Sequence, residues 1–75
     1  MEIYRDIDGD SGVSAYEIGN YFIIVQFTKG DTYLYNYSVT GSNHIQHMIN
    51  LARTGNGLNG YINRYVKRAY ARKIA

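Results

Sequence analysis

The sequence contains no cysteine, no proline and no tryptophan among its 75 residues. Without cysteine the chain forms neither disulfides nor zinc–thiolate sites, a composition typical of proteins in the reducing cytoplasm. A domain of this size has only a small core, and association between subunits is a common source of extra stability. We therefore expect a single cytoplasmic domain over residues 1–75 that forms a homo-oligomer.

Long apolar segments are also missing. The longest apolar run covers residues 21–25, which is far too short to cross a membrane, and no apolar signal segment follows the N-terminus. We expect no contact with a membrane, and no motif indicates a cofactor.

Acidic residues are absent from the second part of the chain. Residues 1–31 hold all six acids and two bases, a net charge of −4, whereas residues 32–75 hold six bases and no acid, a net charge of +6. Such a basic segment favours an anionic partner, which is either a nucleic acid or an acidic protein. The alternative is a solvated surface that binds nothing.

Aromatic and β-branched residues are abundant, with nine tyrosines and two phenylalanines. They predict three strands, at residues 13–18, 21–27 and 32–37. These strands form an antiparallel β-meander over residues 11–38, after an acidic lead-in at residues 1–10.

The turn between the second and third strands sets their register. With Gly30 in the left-handed conformation, a three-residue loop places Ile23 opposite Tyr35. A two-residue loop, the less favoured alternative, would shift the register by one. The favoured register gives one face a continuous apolar set, formed by Tyr21, Ile23, Val25, Phe27, Tyr33, Tyr35 and Tyr37. The opposite face is also partly apolar, which favours a second cover such as a partner chain, over Phe22, Ile24 and Leu34.

Two helices are predicted after the strands. The first covers residues 42–54, where apolar residues at helical spacing are Ile45, Met48, Ile49 and Ala52. The second, over residues 58–72, has apolar positions at Leu58, Tyr61, Ile62, Tyr65 and Ala69. The predicted fold is α+β: a three-stranded antiparallel β-meander followed by two α-helices packed on one sheet face.

Aspartates near the N-terminus have the spacing of a calcium-binding EF-hand loop, over residues 6–17. Ser11 occupies the position where the loop needs glycine, and no helix is predicted on either side. An acidic entry to a strand is the favoured interpretation, and Asp6, Asp8 and Asp10 are weak candidates for a metal site.

Other arrangements of catalytic or metal-binding type are incomplete. His44 and His47 are three positions apart on the first helix, but no cysteine and no later carboxylate completes a metal site. No nucleophile with a base and an orienting acid stands out, so we expect no enzyme.

A glycine-rich stretch, GNGLNG at residues 55–60, connects the two predicted helices. A Rossmann fingerprint requires a strand before the glycines, whereas a helix precedes them here. Gly55 as a helix terminator explains the stretch in part. The turn also leads into a helix N-terminus, so Gly57 and Gly60 are candidates for contact with a phosphate.

The second helix carries a basic face, formed by Arg64, Lys67, Arg68 and Arg72, with Lys73 beyond it. Each base can pair with a phosphate and release counterions. The alternative is that cations near a helix C-terminus favour the helix dipole. Tyr61 and Tyr65 are expected in the core, and Tyr70 is the tyrosine expected to stack on an unpaired base.

The hairpin and its surroundings resemble the KTSC domain family. The hairpin reads I-x-V-x-F-x-x-G-x-x-Y-x-Y, with the Y-x-Y typical of the family at Tyr33 and Tyr35. Similarity extends over roughly residues 11–65, through Ser11, Tyr16, Glu17, Val39, Gly55, Asn59 and Ile62. Thr40 departs from the pattern, since the family usually has proline there. KTSC domains are short bacterial domains that stand alone or follow some lysyl-tRNA synthetases, so the resemblance implies this fold and suggests RNA binding.

Two functions are therefore expected as alternatives. The first is a small nucleic-acid-binding module, with RNA favoured, that holds phosphates with its basic C-terminal helix. The second is a bacterial or phage accessory module that binds or inhibits a protein partner as a homodimer. A variant of the second sequesters a small nucleotide at the glycine-rich turn.

Overall fold

A computed structural model of the chain describes residues 1–7, 9 and 12–75. Within these residues the strands are β1 (Glu2–Ile3), β2 (Val13–Ile18), β3 (Phe22–Phe27), β4 (Thr32–Asn36) and β5 (Arg72–Lys73). The helices are α1 (Tyr37–Thr40), α2 (Ser42–Thr54) and α3 (Leu58–Tyr61), and α3 continues as a π-helical segment, Ile62–Val66. The protein is α+β with an antiparallel sheet, as predicted. None of the helices in the described part of the chain has the length and apolarity needed to span a membrane.

In the described part of the chain the sheet has five strands, in the order β1-β2-β3-β4-β5, so the prediction of three strands is wrong. The two additional strands lie at the edges of the sheet and are two residues long each. Two residues are too few to show an alternating pattern, so only pairing with a longer neighbour defines them. Short edge strands also offer little backbone for pairing with another chain.

The predicted register of the β3–β4 hairpin is confirmed. Ile23 pairs with Tyr35 and Val25 pairs with Tyr33. The Phe27 N–H donates to the Asp31 carbonyl at 2.8 Å, and Gly30 has a positive φ of 103°. The three-residue loop therefore closes as expected, with glycine at the position that most side chains would strain.

The ends of the two hairpin strands differ from the prediction. Tyr21 precedes β3 and is 67% exposed, so it does not belong to the buried face. Tyr37 begins α1 instead of ending β4. The Asn36 side chain accepts a hydrogen bond from the Val39 N–H at 3.0 Å, and this N-cap stops the strand.

The hydrophobic core combines residues of the sheet and of the helices. The sheet contributes Ile23, Val25 and Tyr35, which are at most 1% exposed, together with Val13 and Tyr16. The buried residues of α2 are the four at helical spacing, Ile45, Met48, Ile49 and Ala52, so this pattern was interpreted correctly. The later part of the chain adds Leu58, Ile62 and Val66.

The second helix is shorter than predicted, and it changes from α-helical to π-helical after Tyr61. Its α-helical and π-helical parts end at Val66, whereas the prediction extended it to residue 72. The Ala71 N–H donates to the Leu34 carbonyl at 2.7 Å, which draws the chain onto the free edge of β4. Arg72 therefore lies on β5 and not on a helix. Pairing with the sheet outweighs the helical propensity of this segment.

Candidate functional site

The basic residues form a surface that runs from the π-helical segment to the sheet edge. Arg64 belongs to the π-helical segment, Lys67 and Arg68 to the turn after it, and Arg72 and Lys73 to β5. All five side chains are exposed. We call these five residues the basic surface.

Charges of opposite sign lie at opposite edges of the sheet. The basic β5 is one edge, and β1 with Glu2 is the other, next to β2 with Glu17. On the basic side, Lys73 Nζ lies 3.5 Å from Asp31 Oδ1, with both side chains about half exposed. An exposed pair of this kind contributes little to stability, about 0–1 kcal/mol. The charge asymmetry of the sequence is thus also an asymmetry across the sheet.

Tyr70 is not the free tyrosine that the sequence led us to expect. Its ring lies 4.5 Å from the ring of Tyr33 and 6.5 Å from the ring of Tyr35. Because the chain turns back toward β4 after Val66, Tyr70 is held against the tyrosines of the sheet. It remains 37% exposed, but its ring already has two aromatic partners.

Tyr65 is exposed, which corrects the prediction that it belongs to the core. It is 56% exposed, and Tyr61 is only partly buried. The Tyr61 ring lies against His44 and His47 of α2, and the Tyr65 ring lies against His44. We call His44, His47, Tyr61 and Tyr65 the aromatic–histidine cluster, and the sequence patterns did not identify it as a unit.

Tyr61 is the centre of this cluster. The His47 ring stacks on it with 4.5 Å between centroids and 8° between planes. The Tyr65 ring lies 4.8 Å from it on the same helical element. His44 Nδ1 is 2.6 Å from the Tyr61 hydroxyl. Burial and then the neighbouring Tyr65 raise the pKa of Tyr61, so the hydroxyl keeps its proton at neutral pH and can donate it to His44.

The cluster also accounts for the two histidines that the sequence placed at metal-binding spacing. Both rings are engaged with Tyr61, one by a hydrogen bond and one by stacking. Among residues 1–7, 9 and 12–75, no three histidine, aspartate or glutamate side chains converge as a metal site would require.

A cleft of about 420 Å³ lies between the β3–β4 hairpin and the π-helical segment. Its apolar wall includes Phe27, Tyr33, Tyr35 and Ile62, and its polar lining includes Lys29, Asp31, Asn63 and Lys67. Burial, followed by the nearby Tyr33 and Tyr70, raises the pKa of Tyr35 above the ordinary tyrosine value. The cleft shares Lys67 with the basic surface, and its volume is in the range of small-molecule pockets.

The glycine-rich turn offers less to a phosphate than its sequence suggested. Gly55 and Gly57 have positive φ angles of 81° and 84°, and Gly57 and Gly60 are exposed. However, α3 is only four residues long, and the Leu58 N–H donates to the Tyr4 hydroxyl at 3.2 Å. A phosphate at this turn would find the Leu58 N–H already bonded to Tyr4, which makes the basic surface the stronger candidate.

The N-terminal aspartates are only partly described. Asp8, Asp10 and Ser11 lie outside the described residues, and Asp6 has a positive φ of 53°. Glu17, the last residue of the EF-hand pattern, lies in β2 opposite Ile24. The strand predicted for residues 13–18 is therefore confirmed, and this placement is incompatible with an EF-hand loop followed by a helix.

No known protein family, no curated protein and no solved structure matches the chain. The resemblance to the KTSC domain family thus stays a prediction.

Proposed function

We propose that this protein is a small module that binds single-stranded nucleic acid, with RNA favoured, through the basic surface. The observation that carries the proposal is the exposure of all five bases along a short stretch that contains no acid. Each exposed base that pairs with a phosphate releases condensed counterions, which is the main source of affinity in sequence-independent binding.

The arrangement of the five basic residues favours binding to a flexible single strand of nucleic acid. They are distributed over a π-helical segment, a turn and an edge strand, so no single straight helix presents them to a groove. A single strand of nucleic acid can follow such a path because its backbone bends easily. Proteins that bind single strands in basic grooves often also present aromatic side chains on which the nucleobases stack. Binding to duplex would instead need an element that fits a groove.

The test is the salt dependence of binding to a short single-stranded RNA. Arg68→Gln should weaken binding and lower the magnitude of the slope of log K against log salt by about 0.7 for one lost phosphate contact. The matched control is Arg53→Gln, which removes the same charge next to Glu2 and Glu17 at the opposite side of the sheet. The control should leave the slope unchanged.

Absence of binding to RNA and to single-stranded DNA at low salt would refute the proposal, because the electrostatic contribution is then largest. Equal effects of Arg68→Gln and Arg53→Gln would also count against it, since they would indicate only a general charge effect. In either case an acidic protein becomes the preferred partner of the basic surface.

A second candidate function is a self-associating protein-interaction module. We take the helices to cover the face of Ile23, Val25 and Tyr35, which leaves the other sheet face to a second copy. On that face Ile3 is 82% exposed, while Phe22, Ile24 and Leu34 are half-buried and lie outside the core cluster. We call these four residues the outer sheet face.

Charge favours one orientation of the second copy. If two outer faces meet about a two-fold axis parallel to the strands, β1 of one copy lies over β5 of the other. This arrangement brings Glu17 of one copy toward Arg72 of the other, and both residues share the outer face through their partners Ile24 and Leu34. An axis perpendicular to the strands would instead bring like charges together, so the first arrangement is the one we propose.

A further inference from the structure

Tyr65 combines two properties that are seldom found in one surface side chain: it is open to solvent and it has fixed neighbours. It is 56% exposed, yet its ring lies 4.8 Å from the ring of Tyr61 and 6.2 Å from that of His44. Tyrosine has few rotatable bonds, and a ring already restrained by neighbours loses little entropy when a ligand stacks on it.

The neighbours of Tyr65 are themselves held in place. Tyr61 is bonded through its hydroxyl to His44 Nδ1 at 2.6 Å and is stacked against His47 at 4.5 Å. These two contacts tie Tyr61, the last residue of α3, to α2. The cluster is therefore a built platform of four rings, and Tyr65 is its open end.

A cation lies over one face of the Tyr65 ring. The Arg64 guanidinium carbon lies 5.5 Å from the centre of the Tyr65 ring, and Arg64 itself is exposed. A planar ring next to an arginine offers a stacking surface and a phosphate contact at once. Both residues lie in a π-helical segment, a rare element that is frequent at functional sites.

We propose that the aromatic–histidine cluster is a stacking site for an unpaired nucleobase, in which the nucleobase takes the place of the Arg64 guanidinium on the Tyr65 ring and Arg64 moves to the adjoining phosphate. The inference rests on the proposed function and names the part of the ligand that the basic surface alone does not recognise. Phosphate contacts supply general affinity, and the cluster adds selectivity for strands whose bases are unpaired.

The experiment compares two probes with the same phosphates, a short oligoadenylate and an abasic oligonucleotide of equal length. Tyr65→Ala should weaken binding of the oligoadenylate roughly 5- to 140-fold, the loss of one base–aromatic stack, and leave binding of the abasic probe unchanged. Tyr65→Phe should retain the affinity because it keeps the ring. The control is Tyr21→Ala, since Tyr21 is also exposed and meets Tyr37 edge-on rather than in a stacked cluster.

A second measurement uses the unaltered protein, so that the result does not depend on the folding of a variant. Oligoadenylate should shift the ring proton resonances of Tyr65 upfield, and the abasic probe should not. If Tyr65→Ala has no effect on oligoadenylate while Arg68→Gln weakens both probes, the stacking site is refuted and the proposed function stands. If neither probe binds at low salt, both proposals are refuted together.

Discussion

The hydroxyl of Tyr4 accepts a hydrogen bond from the backbone N–H of Leu58 at 3.2 Å, in the interior of the protein. The contact joins residues 54 positions apart and places the N-terminal segment against the start of α3. Nearby, the Ile7 N–H donates to the Gly55 carbonyl at 2.8 Å. The first residues of the chain thus contact the connection between α2 and α3, which precedes the helical segment of the candidate site.

Tyr4→Phe should lower the free energy of unfolding by about 1–3 kcal/mol, because it leaves the buried Leu58 N–H without its partner. For a chain of this length the total is only roughly 4–11 kcal/mol. Urea unfolding measures the change. Tyr21→Phe is the control, since Tyr21 is 67% exposed, and it should stay within about 0.5 kcal/mol of the unaltered protein. Equal stability of the two variants would contradict the role given to Tyr4.

Gly55→Ala should destabilise the protein by at least about 1–2 kcal/mol, the cost of placing a side chain in the left-handed conformation. Gly55 ends α2 with a φ of 81°, and an added Cβ would lie 2.7 Å from the Cβ of Arg5. Gly60→Ala is the matched control, because Gly60 lies within α3 and an added Cβ meets no atom within 4 Å. Thermal unfolding should show a loss for the first variant and, from helix propensity, a gain of about 0.5–1 kcal/mol for the second.

Stability should decrease as the pH rises above about 10, and Tyr35 should be a main reason. Burial raises the pKa of Tyr35 in the folded protein, so above pH 10 the unfolded chain releases this proton more readily than the folded chain. The contribution of Tyr35 to the free energy of unfolding is complete below its pKa in the unfolded chain. It is lost as the pH rises toward its pKa in the folded protein. Tyr35→Phe should therefore show a shallower loss than the unaltered protein between about pH 10 and pH 12 in urea titrations. Parallel losses would argue against this assignment.

Ile24→Lys should convert an oligomer into a monomer if the outer sheet face meets a second copy. The side chain lies in the central strand, between Glu17 and Leu34, and outside the core cluster. Val39→Lys is the control, since Val39 is 54% exposed on α1 and is not one of the four residues of the outer sheet face. Sedimentation velocity at micromolar concentration gives the result. A protein that is already monomeric before substitution would remove the second candidate function.

The local sequence pattern was sufficient to predict those elements whose structure depends on neighbouring residues alone. The helix Ser42–Thr54 has four apolar residues at helical spacing and Gly55 at its end, and the structure has this helix with those residues buried. The β3–β4 register likewise followed from Gly30 and from the alternation on either side of it. In both cases neighbouring residues in the sequence decide the outcome, through helix geometry or through turn geometry.

Tertiary structure decided where the chain pairs with distant residues. The sequence indicated a helix as far as residue 72, but the edge of β4 offered hydrogen-bond partners and turned Arg72 and Lys73 into a strand. The same change of direction placed Tyr70 against Tyr33, while packing on α2 placed the exposed Tyr65 beside His44. The sequence by itself determined which residues are basic and aromatic. Only the fold decided which of them share a surface, because contacts between distant segments depend on packing and sheet pairing that local propensity does not encode.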